Sequence, residues 1–84
     1  MTNIEKLEAA VGNSAYGQAI VAEAKKLEAE GPHKYGQNIV DSLHERIGVL
    51  KAYERIHAEA GEEAKATAEA DKVAIAEKAL AALK

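Results

Sequence analysis

The sequence predicts an all-α protein: a small helical bundle or helical hairpin with a short N-terminal helix, completed by oligomerisation. Three observations carry this. Ala, Glu, Lys, Leu and Arg supply 48 of the 84 residues, the composition of long helices and coiled coils. Apolar residues recur three and four positions apart along most of the chain, the period of a helix face. Glycines stand between these stretches, at Gly12, Gly31 and Gly61, where helices end.

The first element opens with Thr2 and Glu5, the spacing of a capping box, in which hydroxyl and carboxylate satisfy N–H groups left open at a helix start. Ile4, Leu7 and Val11 then share a face, giving a helix over 3–11. Gly12 is expected in the left-handed position that ends it, and Asn13 or Ser14 caps the next helix. That helix covers 15–29, with Tyr16, Ile20, Ala24 and Leu27 as its stripe, and Gly31-Pro32 stops it. Pro32 also suits the first turn of a helix, so the third is expected over 32–60, roughly 43 Å at 1.5 Å per residue. One edge of its stripe is Ile39, Leu43, Ile47 and Leu50; the other is Val49, Tyr53 and Ile56. Gly61 is read as a turn, followed by Glu62 and Glu63 at the favourable end of a helix dipole. The last helix, 62–84, carries Val73, Ala76, Leu80 and Leu83. Residues 1–84 are read as one helical domain.

Such a domain has a thin core. Leu, Ile and Val number 17, there is no Phe or Trp, and 19 of the 40 apolar residues are Ala. A chain of 8.9 kDa hides only about 63% of the surface exposed when unfolded. Small domains compensate with disulfides, metals or oligomerisation, and Cys is absent. A homo-oligomer is therefore expected.

Several function classes fall away. Without Cys there is no disulfide framework, thiolate zinc site or cysteine nucleophile. No apolar run approaches the length of a membrane span, and no charged-then-apolar leader opens the chain, so a cytoplasmic protein away from membranes is expected. A net charge of −3, with 11 basic residues spread along the chain, is no footprint for a nucleic acid polymer. Glycine-rich phosphate loops are missing, Ser14 reads as a cap, and Ser42 lies mid-helix. No nucleophile stands out, so neither an enzyme nor a bound cofactor is expected.

Three sets of residues remain as candidates. Tyr16-Gly17-Gln18-Ala19-Ile20-Val21 and Tyr35-Gly36-Gln37-Asn38-Ile39-Val40 agree at five of six positions. Both fall at an expected helix start, where free N–H groups attract anions. Gly17 and Gly36 would let a phosphate approach, Tyr16 and Tyr35 offer a stacking face, and Gln18 and Gln37 offer donors and acceptors. His33 and Lys34 add basic character. The ligand would be a small phosphate-bearing molecule such as a nucleotide; the alternative for these residues is helix packing. Second, Val49, Tyr53 and Ile56 form an apolar face for a protein partner, as in an adaptor or inhibitor. Third, Glu54 and His57 form a Glu-x-x-His within the third helix, half of a carboxylate-bridged metal motif. A twofold oligomer would duplicate it, with Glu23 or Glu30 contributing.

Overall fold

The computed structural model describes residues 1–31 and 38–84. They form four helices, α1 (Asn3–Val11), α2 (Ala15–Glu30), α3 (Ile39–Glu59) and α4 (Glu63–Ala82), with no strand among the described residues. The protein is a small all-α bundle.

Each boundary has a local cause. At α1 both halves of the capping box are made: Glu5 N–H donates to Thr2 Oγ1 at 3.1 Å, and Thr2 N–H to Glu5 Oε1 at 2.9 Å. Ser14, in extended backbone, accepts from Gly17 N–H at 2.9 Å and starts α2. Gly31 ends α2 at φ +73°, a conformation that costs glycine little. Gly12 differs from expectation. Its φ is −67°, and glycine is needed for space, because a Cβ there would lie 2.5 Å from the Glu8 carbonyl oxygen.

The start of α3 is the main correction. The helix begins at Ile39, not 32, because Asn38 in extended backbone accepts from Asp41 N–H at 3.0 Å and caps it. The segment 32–37 lies outside the described residues. With 21 residues α3 is about 31 Å long, shorter than the sequence suggested. At its other end Gly61 adopts φ +77° and Glu62 N–H donates to the His57 carbonyl at 2.9 Å, so the chain turns back at once into α4.

Helices α3 and α4 form the most extensive contact, an antiparallel hairpin. Helices α1 and α2 pack together and against α4, while α2 meets α3 over a narrow strip. The core gathers Leu7 and Val11 from α1, Ile20, Val21 and Ala24 from α2, Ile39 and Leu43 from α3, and Ala76, Ala79 and Leu80 from α4. Full burial of each larger aliphatic among them stabilises the fold by about 1.5–3 kcal/mol. All of them lie at one end, where the first turns of α3 meet the last turns of α4. We call this end proximal, and the end at Gly61 distal. Among the described residues no layer covers the outer face of the distal hairpin. The radius of gyration is accordingly 13.7 Å, against about 11.8 Å for a compact chain of this length.

Candidate functional site

Two faces of α3 run the length of the hairpin. The inner face carries Ile39, Leu43, Ile47 and Leu50 onto α4, meeting Val73, Ala76 and Leu80. Past Leu50 the same register continues through Glu54 and His57, both half-buried, while α4 answers with Glu62, Ala66 and Glu69. Toward the distal end, then, the inside of the hairpin becomes polar. The outer face changes in the opposite sense. Val49, Tyr53 and Ile56 are 49, 51 and 55% exposed, and apart from Met1 they are the large apolar residues left open among the described residues. They line one side of α3 as an open apolar stripe.

The polar interior near the tip is well partnered. His57 Nδ1 lies 3.1 Å from Glu62 Oε1, Lys65 Nζ lies 2.8 Å from Glu62 Oε2, and the Tyr53 and His57 rings stack with centroids 6.4 Å apart. Hydrogen bonds from Lys65 first and His57 second hold the Glu62 carboxyl below its ordinary range. Lys65 therefore pairs three residues back with Glu62. Of the metal candidates, His57 has Glu62 as its partner, and no group of three His, Asp or Glu among the described residues is placed to hold an ion.

Where the stripe begins, at Val49, it opens into a pocket of about 430 Å³ between α2, α3 and α4. Its centre is a clamp. Arg46 Nη1 donates to Tyr16 Oη at 3.0 Å, Arg46 Nη2 pairs with Glu23 Oε2 at 2.5 Å, and Ser42 Oγ donates to Glu23 Oε1 at 3.0 Å. The guanidinium also lies 5.4 Å from the centroid of the Tyr16 ring, and the Lys72 ammonium 6.0 Å from it. Burial alone would lower the Arg46 pKa, but the hydrogen bonds to Tyr16 and Glu23 outweigh it and raise the value, so Arg46 stays charged. This clamp is the polar tie across the narrow α2–α3 contact. Sequence reasoning gave Arg46 and Lys72 no role, weighed Glu23 only as a metal ligand and placed Ser42 only mid-helix, because charge on a helix looks the same whether solvated or paired with a residue 23 positions away. Ser42, a small polar residue beside Leu43, was the available signal.

The first Tyr-Gly-Gln copy points three ways. Tyr16 enters the clamp. Gly17 is buried against α1, and a Cβ there would lie 1.6 Å from the Val11 carbonyl oxygen, while its N–H is taken by Ser14. Gln18 Nε2 donates to the Gly12 carbonyl. Of the second copy, Tyr35, Gly36 and Gln37, with His33 and Lys34 before them, lie outside the described residues. Comparisons with protein-family models, curated proteins and solved structures gave no match. The functional reading therefore rests on the chain's own geometry.

Proposed function

We propose that this protein is a non-enzymatic helical binding protein of the cytoplasm, a homo-oligomer that acts by stoichiometric association in the manner of an adaptor or inhibitor. One observation carries the proposal: Val49, Tyr53 and Ile56 project from a hairpin that α1 and α2 leave uncovered. Covering the exposed half of the three side chains is worth roughly 2–4 kcal/mol per copy, at about 0.8 kcal/mol per buried methylene. The fold has no other large apolar surface among the described residues to which that gain could be assigned. The reading is preferred over capture of a nucleotide at the start of α2, because Ser14 and Val11 already occupy the approach to Gly17. It is likewise preferred over a Glu54–His57 metal site, since His57 is turned to Glu62.

The test is the mass in solution beside a variant. Light scattering at micromolar concentration should give a multiple of 8.9 kDa for the native chain. Tyr53→Ser combined with Ile56→Ser should give 8.9 kDa with unchanged helical circular dichroism. A native chain that is monomeric at this concentration overturns the proposal.

A further inference from the structure

The outer face of α3 specifies one arrangement of two copies. We infer that two chains associate about a twofold axis with their α3 helices antiparallel, so that each distal hairpin lies on the other's outer stripe and its acidic turn reaches the other's Tyr16–Arg46 pocket. The inference rests on the proposed self-association and adds orientation, register and the residues in contact.

Spacing is the first support. Val49, Tyr53, Ile56 and Ala60 follow one another at four, three and four residues, the seam spacing of a coiled coil. Ala60 caps α3 with helical dihedrals (φ −81°, ψ −1°), so the seam extends to it. Laid antiparallel against itself about a point between residues 54 and 55, this seam gives four layers: Val49 on the partner's Ala60, Tyr53 on the partner's Ile56, and the same two reversed. Each layer joins a larger residue to a smaller one, which fills space evenly. A parallel pairing would set Tyr53 on Tyr53 and leave Ala60 facing Ala60. It would also crowd both α1–α2 layers at one end, whereas the antiparallel pairing separates them.

Area is the second support. The chain exposes 5377 Å², while a compact monomer of 8.9 kDa exposes about 4,800 Å². The excess of roughly 550 Å² is most of the about 800 Å² that each partner commonly contributes to a stable interface. Charge is the third. In this register the turn carrying Glu59 and Glu63, both exposed, arrives beside Val49, where Lys72, 4.0 Å from Glu69, lines the pocket together with Arg46, Glu23 and Glu45.

The chain has no Cys, so introduced thiols report the register without background. Under mild oxidation Val49→Cys alone and Ala60→Cys alone should stay unlinked, while a mixture of the two should give a covalent dimer. Covalent dimers from either variant alone, or no link in the mixture while light scattering still gives a dimer, overturn the antiparallel register and leave self-association standing. A monomeric native chain overturns both. The pocket contact has its own test, a charge exchange between half-buried Lys72 and exposed Glu63, with helical circular dichroism checking that each variant folds. Lys72→Glu should weaken dimerisation about fivefold, and adding Glu63→Lys should restore it. Failure to restore removes the turn from the pocket.

Discussion

The two ends of the α3–α4 hairpin share one period and differ in what that period covers. At the proximal end the apolar register of α3 faces α4 and, over a narrow strip, α2, and Leu43 is fully buried. Toward the distal end the inner register holds Glu54 and His57, while the apolar side chains stand on the outer face. The difference shows that helical periodicity locates a stripe without saying what lies against it. Below, each change is placed by the end of the molecule on which it acts.

The largest contrast comes from truncating one aliphatic side chain at each end. Leu43→Ala should cost about 2–5 kcal/mol in urea denaturation, the usual range for a fully buried aliphatic. Ile56→Ala should leave the stability of the dilute chain within about 0.5 kcal/mol and weaken association instead. Equal losses at the two sites would erase the comparison. Gly17→Ala, at the proximal end, should cost about 2–3 kcal/mol in the same assay, because a Cβ 1.6 Å from the Val11 carbonyl forces α1 and α2 apart.

Arg46→Met sharpens the boundary between the ends. It leaves the Glu23 carboxylate with Ser42 as its remaining partner among the described residues and should cost about 1–2 kcal/mol in thermal or urea unfolding. Helix α3 has one position where substitution should help. A Cβ at Gly48 meets nothing within 4 Å, so Gly48→Ala should add about 0.5–1 kcal/mol by the same measurement.

The smallest effect belongs to the tip. Hydrogen bonds from Lys65 and His57 lower the Glu62 pKa from its ordinary 4.5. A depressed carboxyl contributes stability above its unfolded pKa and loses it as pH falls through the folded value. Below pH 4.5 the first turn of α4 should therefore fray before the core, seen as faster amide exchange at Ala66, whose N–H makes the first helical bond, to the Glu62 carbonyl, and at the residues just after it. Glu62→Gln should remove that pH dependence.

Much of the fold was legible because its signals are local. The Thr2–Glu5 box, the Ser14 cap, the positive-φ turn at Gly61 and the Val73–Leu80 stripe each need only a few neighbouring residues. The start of α3 was misjudged because Pro32 is equally good as a helix opener and as a breaker, while Asn38-x-x-Asp41 passed unnoticed as a cap. The site was less legible. The outer stripe could be named but not shown to be uncovered, since coverage depends on where α2 stops. The clamp depends on Glu23 and Arg46 meeting across two helices, and no spacing within one helix encodes that meeting.

The reversal of the hairpin along its length separates the residues that make the protein fold from those that the proposed association would use. Leu7, Ile20 and Leu43 are fully buried and lie outside the stripe, whereas Val49, Tyr53 and Ile56 add little to the shared core. Changes at these three positions are therefore nearly free of cost to folding. Under the proposed function, a lineage carrying this chain can redraw its outer stripe one side chain at a time and acquire or lose partners while the bundle beneath stays as it is.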